Sequence, residues 1–286
     1  MIRGTKITAA LVRARPLPVP GDGGKEERGR LLVMAGSAEL PGAALLVADS
    51  GLRAGAGKVT LATSADNVTA LGVALPEARV MALPPKPSGQ LFGERDAIVI
   101  GPGMESTAAT RWADAALAGA GEAPLLLDAA AMEKLWNNAR LRRRHRDGSG
   151  GRCIITPHAG ELAGMADLDQ AAIVRAPKPA AAQAAEHLGV LVVLKAGATT
   201  AVATPDGELF HYYGRIPGLA MSGSGDVLAG LIGGLLARGA RPIDACLWGV
   251  FLHAQAGRRL TARLGSIGYR ASELARELPA LMDGLR

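Results

Sequence analysis

The segment from Gly218 to Gly239 constrains the fold most, because it joins a turn of small residues to an apolar helical pattern. Residues 222–225 read S-G-S-G, so several backbone N–H groups can point at one small anion with no large side chain in the way. Apolar residues then recur at helical spacing from Val227 to Leu236. The segment therefore predicts an anion-binding turn at a helix N-terminus, where unpaired N–H groups and the helix dipole favour negative charge.

Asp226 follows this turn directly and has two interpretations. Aspartate is a common helix N-cap, so a glycine turn closed by Asp226 could be purely structural. A carboxylate beside a bound phosphate repels that ligand, however, and serine or asparagine would cap the helix without this repulsion. We therefore interpret Asp226 as a general base for a substrate hydroxyl group.

The composition excludes several classes of protein. The 286 residues are 49% hydrophobic and only 3% aromatic, which suits an alanine-rich α/β core. No apolar run approaches the roughly 20 residues that span a bilayer, and the N-terminus lacks a secretory signal, so we expect a soluble cytoplasmic protein without a membrane partner. The two cysteines, Cys153 and Cys246, are too few for a disulfide framework or a zinc site.

The chain carries a small excess of positive charge, with 32 Lys and Arg against 26 Asp and Glu. Much of the excess lies in one arginine-rich run, residues 140–146, which is followed by D-G-S-G-G. No aromatic residues are interleaved for base stacking. We interpret the run as a solvated loop and do not expect a nucleic acid partner.

Strand and helix patterns alternate along most of the chain. Residues 1–29 are rich in proline, glycine and charge and predict an irregular N-terminal arm, whereas residues 30–286 predict a single domain. Predicted strands cover residues 31–35, 57–63, 78–83, 97–100, 124–127, 153–155, 190–194 and 199–203, with a hairpin turn at 205–207. Predicted helices cover residues 43–54, 106–118, 129–137 and 170–188, and most of the chain after 218. Continuous apolar strands alternating with helices are typical of an α/β fold whose mostly parallel sheet is covered on both faces.

Chemistry-bearing residues follow several of the predicted strands. In open α/β sheets, ligands bind beyond the carboxyl ends of the strands, so these residues should meet at one edge. They are Gly36-Ser37, Gly42-Ala43, Gly101-Pro102-Gly103, Asp128, Thr156 to Glu161, and Lys195 to Thr199.

Together these segments resemble a known family, the ADP/ATP-dependent NAD(P)H-hydrate dehydratases of the ribokinase-like superfamily. The resemblance covers residues 29–281. Its matching segments are A-G-S-A-E-L-P-G-A, R-A-G-A-G-K-V-T, I-G-P-G-M, L-D-A-A-A-M, T-P-H-A-G-E, V-V-L-K-A-G-A-T, P-D-G and G-S-G-D-V-L-A-G-L-I-G-G-L-L-A-R-G. The related sugar and vitamin kinases share the G-x-G-D turn, whereas T-P-H-x-G-E resembles the dehydratase branch. The resemblance implies a ribokinase-like three-layer α/β/α sandwich.

The resemblance also implies an activity: ADP- or ATP-dependent dehydration of (S)-NAD(P)H hydrate, with Mg²⁺. The implied substrate-binding residues are Ala43, Gly103, His158 and Asp226, of which Asp226 is also catalytic. The implied nucleotide-binding residues are Lys195, Ala196, Gly197, Ala198, Thr199, Gly223, Ser224 and Gly225. No side chain is assigned to a metal. The implied partners are a second copy of the chain, in a homo-oligomer such as a tetramer, and a separate NAD(P)H-hydrate epimerase.

Four positions depart from the family pattern. Ala130 replaces a second aspartate, Ala196-Gly197 inverts a glycine-first pair, Arg258 stands in place of an aspartate, and Ile216 in place of an asparagine. Two other functions therefore stay open at this point. One is a small-molecule kinase that stops at the phosphate ester, such as a hydroxymethyl- or hydroxyethyl-heterocycle kinase, and the other is a non-catalytic nucleotide-binding relative.

Overall fold

The computed structural model describes residues 4–19, 24, 27–138, 140–141 and 152–285. The predicted basic loop falls mostly outside these residues. The strands of the described chain are β1 Thr5–Lys6, β2 Arg30–Met34, β3 Lys58–Thr63, β4 Arg79–Ala82, β5 Ala97–Ile100, β6 Leu125–Leu127, β7 Cys153–Ile155, β8 Leu191–Ala196, β9 Thr199–Ala203 and β10 Leu209–Tyr213. The α-helices are α1 Ala9–Arg13, α2 Pro41–Arg53, α3 Val68–Ala74, α4 Ser106–Gly119, α5 Ala159–Ala166, α6 Gln170–Arg175, α7 Pro177–Leu188, α8 Ser224–Ala237, α9 Pro242–Leu264 and α10 Ala271–Asp283.

The strands form one sheet in the order β1-β10-β9-β8-β7-β6-β5-β2-β3-β4. Strand β9 is antiparallel to β8 and to β10, and the other described pairings are parallel. The predicted mostly parallel sheet is therefore confirmed, and so is the hairpin around residues 205–207. Because the parallel strands run in one direction, the loops that follow them meet at one edge of the sheet.

Helices cover both faces of the sheet, because alternate residues of each central strand are apolar on both sides. In β2, Leu31 and Val33 face one core, while Leu32 and Met34 face the other. The first core includes residues of α1, α2, α3, α8, α9 and α10, and the second includes residues of α4, α5, α6 and α7. This arrangement is the predicted three-layer α/β/α sandwich.

Helix α8 is the most buried helix of the first layer. Its residues from Val227 to Ala237 are all buried, which explains why its sequence is apolar all round rather than on one stripe. Glycines let it approach its neighbours closely: a Cβ on Gly230 would lie 2.2 Å from the carbonyl oxygen of Val47 in α2, and one on Gly233 would lie 2.4 Å from Val99 in β5. These contacts place the N-terminus of α8 at the carboxyl edge of the sheet.

Three predictions about secondary structure need correction. The arm is not irregular throughout, because β1 pairs with β10 and the side chains of Ile7 and Val12 are buried in the core. The predicted helix over 129–137 is only a 3₁₀ helix, Ala129–Met132. The predicted helix over 170–188 is two helices, since Ala176 adopts a non-helical conformation before Pro177, as residues that precede proline commonly do.

The glycine contacts between α2 and α8 predict the effect of one substitution. A Cβ on Gly234 would lie 2.4 Å from the carbonyl oxygen of Gly51 and 2.7 Å from the Cβ of Ala54. We expect Gly234→Ala to lower the free energy of unfolding by about 1–3 kcal/mol, measured by urea denaturation, because the helices must separate.

Gly72 in α3 is the matched control, since a Cβ there would meet no atom within 4 Å. Gly72→Ala should raise stability by about 0.5–1 kcal/mol through reduced backbone entropy of the unfolded chain. Equal stability of Gly234→Ala and the unmodified protein would contradict the packing argument.

Candidate active site

A cavity of ≈ 460 Å³ opens at the carboxyl edge of the sheet, where the loops after several strands meet. Its walls come from the ends of β6, β7 and β8, from the first turn of α8, and from α9. Among the residues that line it are Asp128, His158, Glu161, Lys195, Asp226 and His253. Segments far apart in sequence thus contribute titratable groups to one concave surface.

Asp226 lies in the first turn of α8, directly after the S-G-S-G turn. Gly223 precedes the helix with φ +86, a left-handed conformation that favours glycine. The first-turn N–H groups of a helix lack partners within it, so this end of α8 offers donors to an anion in the cavity. Burial, reinforced by the charge of Asp128, raises the pKa of Asp226 from 3.8 to about 6 although Lys195 opposes the shift. A carboxylate with that pKa can accept a proton near neutral pH.

Lys195 connects the end of β8 with this helix terminus. Its Nζ lies 3.6 Å from Oδ1 of Asp128, and it would lie 3.3 Å from a Cβ on Gly225. Asp128 is buried and its Oδ1 also accepts a 2.6 Å hydrogen bond from the hydroxyl of Thr156. The ammonium group is therefore held beside the first turn of α8, where it adds a positive charge to the anion site.

His158 is the N-cap of α5. Its Nδ1 accepts hydrogen bonds from the N–H groups of Gly160 and Glu161, at 3.0 and 3.2 Å. The carboxylate of Glu161 in turn accepts from the backbone N–H of His158, which completes a capping box. Since Nδ1 accepts, the other ring nitrogen carries the proton of the neutral ring. The side chain is 59% exposed and lines the cavity, with Nε2 3.6 Å from Oε1 of Glu161.

His253, on α9, supports the anion turn from behind. Its Nε2 lies 3.0 Å from the carbonyl oxygen of Ser224 and 3.1 Å from the Ser224 hydroxyl. A carbonyl oxygen only accepts, so Nε2 is the protonated nitrogen. Burial lowers the pKa of His253 to about 4, which keeps the ring neutral. The imidazole therefore orients Ser224 without adding a charge.

Ala43 and Gly103, two predicted substrate-binding residues, lie together beside this cavity rather than in its lining. A Cβ on Gly103 would lie only 2.6 Å from the Cβ of Ala43, and Gly103 has φ +65. One turn further along α2, Leu46 lies 2.5 Å from the Cβ position of Gly223. The first turns of α2 thus connect the Ala43–Gly103 contact with the anion turn.

The structure brings most of the predicted site residues together. Seven of them line the cavity: Asp226, His158, Lys195, Gly197, Ala198, Ser224 and Gly225. Ala196, Thr199 and Gly223 adjoin these residues in the chain but do not line it. Gly197 and Ala198 connect the paired ends of β8 and β9, and the lining continues with Thr200. The roles of these residues remain predictions.

The sequence assigned no catalytic or binding role to Asp128, Glu161 and His253, although it placed Asp128 and Glu161 among the residues expected at this edge. The position of Asp128 directly after a buried strand indicated that it lies at this edge of the sheet. Glu161 could be located from the H-x-x-E pattern, which is typical of a capping box. His253 begins the segment H-A-Q-A-G-R, in which Arg258 departs from the family pattern, but nothing in that segment indicated a contact with Ser224, 29 residues earlier in the chain.

A membrane-spanning helix and a metal-binding cluster are both absent from the described part of the chain. No described helix is long and apolar enough to cross a membrane. No group of three or more His, Cys, Asp or Glu side chains in the described ranges could hold a metal ion.

Residues 31–280 match a sequence model of the NAD(P)H-hydrate dehydratase family. The chain belongs to this family. A further member, the ADP-dependent (S)-NAD(P)H-hydrate dehydratase of Xanthomonas campestris, is 44% identical over 98% of this chain and 96% of its own length. Other related proteins are bifunctional NAD(P)H-hydrate repair enzymes, about half of whose length the chain spans.

Solved structures of similar proteins have the same fold. The ADP/ATP-dependent enzyme of Bacillus subtilis, co-crystallised with ATP and Mg²⁺, superposes with a TM-score of 0.86 at 28% identity, over 100% of both chains. A ribokinase-like superfamily protein of Enterococcus faecalis superposes with a TM-score of 0.80 at 24% identity, over 98% of this chain and 96% of its own. The fold is therefore ribokinase-like, as the sequence resemblance implied.

The raised pKa of Asp226 predicts a stabilising substitution. The unfolded chain ionises this carboxyl near 3.8 and the folded protein near 6, so ionisation costs stability as pH rises through that interval. Above it the full cost persists, on the order of 2–3 kcal/mol at ~1.4 kcal/mol per pKa unit. Asp226→Asn avoids this cost, so the ligand-free variant should be more stable than the unmodified protein at pH 7.5.

Denaturant unfolding at pH 7.5 and pH 4 measures this effect, and the difference should nearly vanish at pH 4. Asp66→Asn, at an exposed aspartate, is the control and should change stability by less than about 0.5 kcal/mol at both pH values. A destabilised Asp226→Asn protein at pH 7.5 would show that ionised Asp226 is favourably paired.

Proposed function

We propose that this protein dehydrates (S)-NAD(P)H hydrate to NAD(P)H with ADP or ATP as the phosphoryl donor, as a carbon–oxygen lyase that repairs damaged nicotinamide nucleotides. The observation that carries the proposal is the position of Asp226. It is a carboxylate with a raised pKa at a helix N-terminus, in one cavity with Lys195. This arrangement puts a proton acceptor directly beside a site built for anions.

The phosphate groups of the nucleotide would bind at the first turn of α8. Gly223 and Gly225 offer backbone N–H groups there, on either side of Ser224, whose own N–H donates to the carbonyl oxygen of Met221. The ammonium group of Lys195 adds a charge that would stabilise the transferring phosphoryl group. The small residues Gly197 and Ala198 would let the adenine nucleotide approach the backbone of the β8–β9 turn closely.

Asp226 would accept the proton of the ring hydroxyl group while the hydroxyl oxygen attacks the terminal phosphorus. The bond between that phosphorus and the nucleotide breaks, which leaves AMP from ADP or ADP from ATP. The phosphorylated ring carbon then loses phosphate as the lone pair of the ring nitrogen moves toward it. Loss of a proton from the adjacent ring carbon restores the double bond of NAD(P)H. The protein therefore needs to activate one hydroxyl group and hold the geometry.

The residues fit a Mg²⁺ ion that arrives with the nucleotide. In the described ranges no three carboxylate or histidine side chains form a cage, and Mg²⁺ is usually held by phosphate oxygens, water and one or two carboxylates. Asp128 and Asp226 are two of the carboxylates that line the cavity with the anion turn. When bound, the ion would neutralise charge on the phosphate groups.

His158 would orient the hydrated nicotinamide nucleotide through its exposed ring N–H group. Ala43 and Gly103 would form the neighbouring wall, since they contact each other and both are partly exposed. We assign these roles to a single catalytic unit over residues 30–286, preceded by an N-terminal arm.

The biological setting follows from the chemistry. Hydration of the nicotinamide ring creates a stereocentre, and an enzyme for the (S) form leaves the other epimer unrepaired. We therefore propose that a separate epimerase interconverts the two, that the protein acts in the cytoplasm where these nucleotides circulate, and that it works as a homo-oligomer.

The direct test follows recovery of nicotinamide absorbance from NADH hydrate with ATP or ADP and Mg²⁺. Asp226→Asn should lower the rate by about 10²–10⁴-fold, the usual contribution of a general base. Asp66→Asn is the control and should retain the rate of the unmodified protein.

Three results would contradict the proposal. An Asp226→Asn protein with full activity would remove Asp226 from the chemistry. A stable phosphorylated product would instead indicate a kinase that stops at the ester. Calorimetric binding of nucleotide without turnover would indicate a non-catalytic relative.

The pKa of Asp226 also predicts the pH dependence of the reaction. The base must be ionised to accept a proton, so kcat/KM should rise with pH through about 6 and level off above pH 7. A rise centred near pH 4 would show that the titrating group is an ordinary solvent-exposed carboxyl.

A further inference from the structure

A second concave surface, which we call the bay, lies at the opposite edge of the sheet from the candidate active site. It has a volume of ≈ 570 Å³. Its floor is formed by the amino ends of β2, β3 and β4, and residues 93–95 form one wall. The active-site cavity uses the carboxyl ends of other strands, so the two surfaces share no residue.

Cationic side chains converge on the bay. Arg30, Lys58 and Arg79 are the first residues of the three adjacent strands β2, β3 and β4, and Arg95 lies in the wall. Lys58 pairs with Arg30 in the strand register, and Thr60 pairs with Arg79. The topology of the sheet thus gathers charges that lie up to 65 positions apart in the chain.

The floor of the bay carries four side chains on one face of the sheet, those of Arg30, Lys58, Thr60 and Arg79, because side chains alternate along a strand and neighbouring strands pair in register. This is the face of Leu32 in β2 and Ala62 in β3, which further along the strands belongs to the second core. Helix α4 packs over β5 and β6, and none of its residues lines the bay. Strand β3 therefore carries Lys58 and Thr60 where this face meets the bay, and Ala62 where it meets the second core.

The guanidinium group of Arg95 is held in a fixed position. Its Nε donates to the carbonyl oxygen of Leu91 at 3.3 Å, and its Nη1 donates to the hydroxyl of Thr60 at 3.2 Å. Burial, followed by the charges of Arg79 and Arg30, lowers the pKa of Arg95. These cations repel one another, and an anion between them would remove that repulsion.

The carboxylates of the bay neutralise only part of this charge. Glu94 lies 2.9 Å from Arg30, and Glu77 also lines the surface. Arg79 and Arg95 form no ion pair within 4 Å with any carboxylate in the described part of the chain. Guanidinium groups offer paired donors that match phosphate oxygens.

We propose that the bay is a second binding site, separate from the catalytic cavity, for the phosphate groups of an oligophosphate. None of the described residues that line it is aromatic, so binding rests on phosphate oxygens rather than on stacking of a base. Arg79 and Arg95 are the principal contacts, with Lys58 and Thr60 beside them.

Calorimetric titration with pyrophosphate at low ionic strength, without added metal, tests the proposal. The unmodified protein should bind one more equivalent than Arg79→Glu, or bind it at least about 10-fold more tightly, since a hydrogen bond to a charged group contributes roughly that factor. Arg276→Glu makes the same change in net charge at an exposed position of α10 and should bind like the unmodified protein. The steady-state KM for ATP should be unchanged in Arg79→Glu, because Arg79 does not line the catalytic cavity.

Arg95→Gln provides a second variant at the other principal contact and should lose the same equivalent. Titration with ATP identifies the source of the phosphate groups: an additional equivalent of ATP shows that nucleotides enter the bay, and an effect confined to pyrophosphate shows an inorganic ligand. Unchanged binding in both arginine variants, or an equal loss in Arg276→Glu, would overturn the proposal.

Discussion

The close packing of α8 against α2 and the sheet is the contact on which the rest of the site depends. Gly230 and Gly234 bring the backbone of α8 against the backbone of α2, and Gly233 brings it against the side chain of Val99, so the helix occupies the layer with little freedom to shift. That position sets where its N-terminus emerges, and the N-terminus carries both the anion donors and Asp226. The buried helix α8 therefore fixes the positions of Asp226 and the backbone donors, and functional groups held on rigid elements are positioned most precisely.

The charges around Asp226 form a balanced group rather than a simple ion pair. Asp128 and Glu161 raise the pKa of Asp226, while Lys195 lowers it, and burial is the largest of the causes. Thr156 and Lys195 hold Asp128, and the capping box of α5 holds Glu161. The raised pKa of Asp226 therefore depends on burial and on these neighbouring charges, not on its residue type alone. Burial likewise keeps His253 neutral behind the anion turn.

The two edges of the sheet have different characters. At the carboxyl edge, glycines and helix N-termini supply backbone donors, and carboxylates accompany them. At the amino edge of β2, β3 and β4, long cationic side chains provide the charge instead. Parallel strands produce this separation, because every strand begins at one edge and ends at the other. Ligands at the two edges would therefore be bound by different groups.

The sequence by itself determined the α/β class, most strand positions, and the anion turn with Asp226, because these depend on local residue order: apolar periodicity, small residues and a helix start. It also placed Lys195 and His158 at strand ends. Only the tertiary structure decided that His253 supports Ser224, that Asp128 and Glu161 face Asp226, that Ala43 contacts Gly103, and that the first residues of three strands form a cationic bay. Those relations join residues distant in the chain, and the register of the sheet and the glycine-mediated approach of its helices bring them together.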